Sequence, residues 1–403
     1  MRLFTSRFWC WATLGLLLVC LPTFATFTPN SAEADVQALV SFGPRVPGTP
    51  ASEQARNYLI AEYRQAGYVT KLGTFTYPKF QDLGSALSVG GVRLEGRALK
   101  GSLASQVTAS LVVVPGVGRP NDFAAVDVTG AIAIVRRGEI PFFEKARNAT
   151  AAGAVGLVIV NTDSNEFSGM LQAEVSIPVL GLSGKQGEPL LETAKTQPLR
   201  ASLDVNARVN SVTGYNIIAH LPDVKQPKVL LGSHYDSVPK SPGANDNASG
   251  TAVVLELARR LVNTPLVHQA WFVAFDGEED GLQGSKAFVK TAEPQFLSNL
   301  KAMLNFDMVG VNEQLLVGGT EPLTTLARKI DPKVSTISDT GASDHKSFSD
   351  AKVPVLFLYR GEDPNYHSPN DTVVDPKFLE ATTQVAQSVI QNLLESSSGL
   401  QLQ

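Results

Sequence analysis

The 403-residue chain has only two cysteines, Cys10 and Cys20. Beyond residue 20 it can form no disulfide and offers no thiolate ligand or nucleophile. Any metal must therefore be held by imidazole and carboxylate. Histidine is scarce as well, with five residues: His220, His234, His268, His345 and His367. No basic block and no Arg/Lys stripe with interleaved aromatics occurs, and the formal net charge is −4. That pattern argues against nucleic acid as a partner. There is no short-period repeat, and the low-complexity sequence is confined to the Ser-rich stretch after Glu395.

One long apolar run stands at the start, where Arg2 and Arg7 precede or flank FWCWATLGLLLVCLPTFA. A positive segment followed by an apolar one reads as an export signal. The expectation is a signal peptide over 1–34, with Ala32-Glu33-Ala34 as the cleavage site. An uncleaved anchor is the alternative, because the run is nearly long enough to span a bilayer. Val19 is too large for the residue that precedes a lipidated cysteine. An exported chain without disulfides fits a bacterial periplasm or exterior.

The remainder changes texture twice. Ser52–Gly67 has Ala55, Leu59, Tyr63 and Ala66 at helical spacing and stops at glycine. From near Ala104, SLVVVPG, AIAIVRRG, GLVIVN and VSIPVLGLS are short apolar runs with helix-like stretches between them, a compact α/β unit without histidine. From Tyr215, NIIAHL, KVLLGSH, WFVAFD, AMLNFDMV and VPVLFLY alternate with four helical stretches. Strands that are apolar throughout imply a mixed, mostly parallel sheet with helices on both faces. The predicted division is a discontinuous α/β domain over 35–103 and 209–397, an insert over 104–208 and a tail over 398–403.

In such folds ligands bind outside the carboxyl ends of the strands. The ionisable residues sit there. KVLLGS leads into His234 and Asp236, WFVAFDG into Glu278 and Glu279, AMLNF into Asp307, and VPVLFLY into the loop of His367. Asp246 precedes the helix after the first of these strands. Taken singly, a histidine at a strand end is an ordinary loop residue, an aspartate before a helix is an N-cap, and a glutamate pair is a solvated turn. His220 and His268 keep that reading. Together, the remaining residues form an acidic cluster that would repel itself without cations. Two divalent ions would resolve the repulsion. Histidine and carboxylate donors suit zinc, and Asp246 could bridge two ions about 3.5–4 Å apart.

GSHYDS, GANDNASG, DGEEDGLQGS, NFDMVG, SDHKSF and YHSPNDT, in that order, resemble the M28 zinc metallopeptidases, the co-catalytic di-zinc aminopeptidases. FGPRVPGTPASEQARNYL near the start extends the resemblance, and the insert resembles a protease-associated (PA) domain. The resemblance implies a zinc-dependent exopeptidase acting on peptides with a free N-terminus, with two zinc ions per chain. His234 and Asp307 would hold one ion, Glu279 and His367 the other, and Asp246 both. Glu278 would be the general base and Asp236 would orient His234. A cis peptide would follow Asp246, and Asp344 and His345 would lie near the site.

Two other readings stay open at this stage. Glutaminyl cyclases resemble the chain at HYDS and DGEE and use one zinc for aminoacyl transfer. Non-catalytic relatives keep the fold and lose the ligands. Neither the residue preference, nor the choice of aminopeptidase over carboxypeptidase beyond the resemblance, nor an oligomeric state can be read from the residues. The Asn148, Asn247 and Asn370 glycosylation sequons are assigned no modification, and no partner protein is implied.

Overall fold

The computed structural model describes residues 31–338, 341 and 343–395. Most of the expected signal peptide and the tail at 398–403 lie outside these residues. Ala32-Glu33-Ala34, the expected cleavage site, forms the first turn of the Ala32–Ser41 helix, whose N-cap is Ser31.

The chain builds one sheet, leaves it for a second and returns. β1 (Val69–Asp82) starts the first sheet. The second takes β2 (Ala86–Val89), β3 (Val92–Glu95), β4 (Arg97–Ala98), β5 (Ser105–Val113), β6 (Ile132–Arg136), β7 (Gly156–Val160), β8 (Val179–Leu182) and β9 (Leu199–Val205). β10 (Ala207–His220) then returns to the first sheet, followed by β11 (Val229–His234), β12 (Ala270–Phe275), β13 (Ala302–Phe306), β14 (Leu316–Gly319), β15 (Ser335–Thr336) and β16 (Val355–Tyr359).

The first sheet has the order β1-β10-β12-β11-β13-β16-β14-β15, and its central strands β12, β11, β13 and β16 are parallel. Side chains alternate across a strand, so each apolar run feeds two cores. Val229, Leu231, Phe272, Leu304 and Leu356 face one, packed with residues of the Pro50–Gln65, Gly250–Leu261 and Pro376–Glu395 helices. Leu230, Val273, Met303 and Val355 face the other, against Phe288 and Phe348. The expected fold, a mixed sheet covered on both faces with an inserted α/β unit, is the one observed.

The Gly250–Leu261 helix shows why these segments stay put. Val253, Val254, Leu257 and Leu261 have no exposed surface. Burying each contributes about 1.5–3 kcal/mol. Its apolar face holds the turn at its N-terminus, which carries Asp246, against the ends of β11 and β13.

β1 and β10 pair antiparallel from Val69↔His220 to Asp82↔Ala207, and this ribbon carries the chain to the insert and back. The insert's sheet, of order β3-β2-β9-β5-β6-β7-β8-β4, has its own cores on both faces. The expected boundary near Ala104 falls inside this unit, because β2, β3 and β4 already belong to its sheet. Strands of two to four residues carry too little pattern to show which sheet they join.

Candidate metal centre

β11 ends on His234, whose ring is almost fully buried. Its Nε2 lies 3.4 Å from Asp246 Oδ1 and 3.4 Å from Asp307 Oδ1. Its Nδ1 faces Asp236, at 3.3 Å from the backbone oxygen and 3.4 Å from Oδ1. Asp236 has a second task. Its two carboxylate oxygens accept the backbone N–H groups of Glu278 and Glu279 at 3.2 and 3.3 Å. One side chain therefore ties the end of β11 to the turn after β12.

Asp246 sits in the Ala244–Ser249 turn, with φ −110° and ψ 90°, and the Asp246–Asn247 peptide is cis. Gly243 opens the turn at φ 62°. A Cβ there would strike Asp246 O and come within 2.7 Å of the Ser237 side chain, so only glycine fits. Asp371 holds the turn from below, accepting from Asn245 N at 2.7 Å and Asp246 N at 3.1 Å. Asn247 donates to Phe306 O at 2.9 Å and accepts from Gly250 N at 2.9 Å. The buried Asp246 carboxylate is left free to face His234 and His367.

The other side of Asp246 meets a second group. His367 Nε2 is 3.0 Å from Asp246 Oδ2 and 3.2 Å from Glu279 Oε2. The Tyr366 ring stacks on His367, with centroids 3.8 Å apart. Asp307, after β13, accepts from Ser343 Oγ through Oδ2 at 2.7 Å. Its Oδ1 and Glu279 Oε1 are buried without a hydrogen-bond partner. Within each of the groups His234–Asp246–Asp307 and Asp246–Glu279–His367, one ligand atom per residue lies within 4.8 Å of the others. Asp246 belongs to both groups. Orphaned buried oxygens beside neutral-capable imidazoles cost stability unless a cation meets them, and a donor set of nitrogen and oxygen alone fits zinc.

The protons of this cluster point the same way. Burial opposes a charge on His367, yet the Asp246 and Glu279 carboxylates outweigh it and raise the ring to about 10. Burial likewise opposes a charged His234, and Asp307 and Glu278 push it well above its ordinary value. Burial, with the charge of Asp246 added, raises Glu279 to about 7. Burial pushes Glu278 well above the carboxylate range, against the pull of His234. Each of these shifts favours a proton on a group that a cation could meet instead.

The remaining histidines and acids fall into place around this group. Asp344 is fully buried, and burial raises it to about 7 against the effect of His234. Burial lowers His345 to about 4, and its ring stacks on Phe357 at 4.4 Å. His220 stacks on Trp271 and His268 is exposed beside Asp223, so neither joins the group.

Two contributors had no role assigned from sequence. Asp371 lies within the quoted YHSPNDT motif, where it resembles any turn aspartate. Arg45 lies within FGPRVPGTP and is fully buried. Its guanidinium donates to Tyr235 O at 2.7 Å, to Gly243 O at 2.9 Å and to Pro242 O, which clamps the loop between His234 and Asp246. The only sequence signal was an arginine in a Pro/Gly-rich segment, and that does not name the loop it binds.

Comparison with known proteins agrees with this architecture. Residues 216–390 match the model of Peptidase family M28, and residues 107–190 match the PA domain. Aminopeptidase YwaD of Bacillus subtilis (strain 168) is 34% identical over 83% of this chain and 77% of its own length. The probable lipoprotein aminopeptidase LpqL of Mycobacterium tuberculosis is 31% identical over 82% of this chain and 76% of its own length. The solved structure of a zinc aminopeptidase from Bacillus subtilis superposes with a TM-score of 0.76 at 29% identity, covering 90% of this chain and 93% of that one.

Proposed function

The chain belongs to peptidase family M28 as a metallopeptidase of the aminopeptidase type with a PA domain, and from that premise we propose that it is a di-zinc enzyme in which Glu278 is the general base. The observation that carries this is the division of Asp246, with Oδ1 toward His234 and Oδ2 toward His367. His234 and Asp307 would hold one ion, Glu279 and His367 the other, with Asp246 shared between them.

When bound, the ions would polarise the scissile carbonyl and make a water acidic enough to lose a proton near neutral pH. The chain's own residues do the rest. Glu278 follows β12 in the turn fixed by Asp236, so its carboxyl stands next to the ligand Glu279. Held there, it accepts the water's proton and returns it to the leaving amine. Asp236 keeps His234 Nε2 facing the carboxylates by engaging Nδ1. Asp344 and the two-sided sheet bury the floor of the site, which strengthens each of these contacts.

Two ligand groups sharing one aspartate favour this reading over a single-zinc cyclase, and a complete donor set favours it over a non-catalytic relative. The substrates would be peptides with a free N-terminus. We place the insert over 83–206, between the ends of β1 and β10, and read the leader as an export signal. No described helix is long and apolar enough to cross a membrane. The test is zinc content of the purified protein, with hydrolysis of leucine-4-nitroanilide before and after chelation. About two zinc ions per chain and chelator-sensitive release support the proposal. One zinc without release points to the cyclase, and no zinc overturns the ligand assignment.

A further inference from the structure

The cleft beside Glu279 is shared between the two sheets. It encloses about 460 Å³, with Glu279 and Asp280 on one side, Asp82 at the end of β1, and Arg97, Lys100 and Met170 on the side of the insert. Its charged groups differ in how far they are already engaged. Arg97 Nε pairs with Glu166 at 2.9 Å. Asp280 Oδ2 takes Lys79 Nζ at 2.8 Å and Tyr77 OH at 2.5 Å. Asp82 accepts from Ala98 N at 2.9 Å and from Ser85 Oγ at 2.7 Å. Lys100 has no carboxylate within ion-pair distance among the described residues, and its Nζ meets only the Asp280 backbone oxygen, at 3.4 Å.

The root of this side chain is rigid. Lys100 N donates to Gly169 O and Lys100 O accepts from Leu171 N, both at 2.8 Å. An unpaired ammonium on a fixed backbone, facing a cleft that reaches a candidate metal ligand, is a site for an anion. Met170 beside it is 53% exposed and offers apolar surface for the rest of the molecule.

We infer that Lys100 receives a carboxylate of the peptide substrate, so that the insert sets specificity directly. This rests on the aminopeptidase reading above. The carboxylate has two possible sources, the C-terminus of a short peptide or an acidic side chain beside the scissile bond. A lysine serves either as a point charge, without demanding bidentate geometry.

The experiment compares kcat/KM for the full-length zinc-loaded protein on Leu-Leu against Leu-Leu-amide. It repeats the comparison on Leu-Glu-amide and Glu-Leu-amide against their Gln counterparts. Wild type is expected to prefer one carboxylate-bearing member by about tenfold. The pair that shows the preference identifies the source. Lys100→Met should bring that ratio close to one, Lys100→Arg should restore much of it, and Lys100→Glu should invert it. The ratio separates recognition from a folding defect, which would lower both members together. Equal rates within every pair for wild type would overturn the inference, as would a ratio that survives Lys100→Met. Absence of chelator-sensitive release from every peptide would remove the aminopeptidase reading itself, and the inference with it.

Discussion

The carboxylate of Asp371 accepts the backbone N–H of Asp246 at 3.1 Å, across 125 residues of chain. It also accepts from Asn245 N at 2.7 Å. One acidic side chain thereby fixes the backbone of another whose own carboxylate must stay free for two partners. Replacing Asp371 by alanine should loosen that aim without removing a ligand. Metal affinity should fall by about 10–100-fold, measured by competition with a chelator, while full occupancy at excess zinc restores part of the activity. Unchanged affinity would show that the turn holds without Asp371.

Glu278→Gln keeps the shape of the side chain and removes its basicity. Zinc content should stay as in wild type, and kcat on leucine-4-nitroanilide should drop by about 10²–10⁴-fold. Loss of zinc together with activity would instead make Glu278 a ligand.

Metal uptake should displace protons. In the metal-free protein His367 titrates at about 10 and His234 is also raised, so both carry protons at neutral pH. Zinc binds neutral imidazole. Its affinity should therefore rise with pH, by about tenfold per pH unit for each proton released. Each ion's ligand group holds one histidine, so the affinity for each ion should rise by about tenfold per unit between about pH 6 and 8, and more steeply below about pH 7 for the ion that Glu279 would also hold. Chelator-buffered titrations at several pH values read the slope, and a slope near zero would contradict protonated ligands.

Arg45 holds the loop between His234 and Asp246 through three backbone oxygens. Arg45→Met leaves Tyr235 O and Pro242 O without a donor, at about 1–3 kcal/mol for each group, while Gly243 O keeps Ala248 N at 3.0 Å. Urea unfolding should show a loss of several kcal/mol, with weakened zinc binding at temperatures where the variant is folded. Lysine should rescue little, because one ammonium cannot reproduce the planar fork.

The split of Asp246 between two metal groups needs both histidines. His367→Ala should therefore leave one ligand group intact, the one formed by His234, Asp246 and Asp307. About one zinc should remain per chain, with activity largely lost. Retention of two ions would show that His367 does not bind metal.

Several features were legible along the chain. Val229–Leu231 and Met303–Leu304 are apolar at every position, as a strand covered on both faces requires. The acidic and histidine residues could be placed at the ends of those strands, because the pattern that marks a strand also marks where it stops. The insert's central strands were equally plain. Its first strands, β2 to β4, were not, since segments of two to four residues with exposed positions fit either sheet.

What the sequence determined by itself was the inventory: which residues line up at one sheet edge, and that without thiolates any metal must rest on imidazole and carboxylate. What the tertiary structure decided was direction. The 3.4 Å and 3.0 Å contacts of the two Asp246 oxygens depend on Asp371 and Arg45 acting from two distant places in the fold on the turn that Gly243 opens. The unpaired Lys100 beside Glu279 likewise exists only because the β1–β10 ribbon brings the insert back over the site. Local pattern records how a segment buries its own side chains. It carries no record of which distant backbone oxygen or cation a folded chain will set beside it, and the chemistry of this site depends on those long-range contacts.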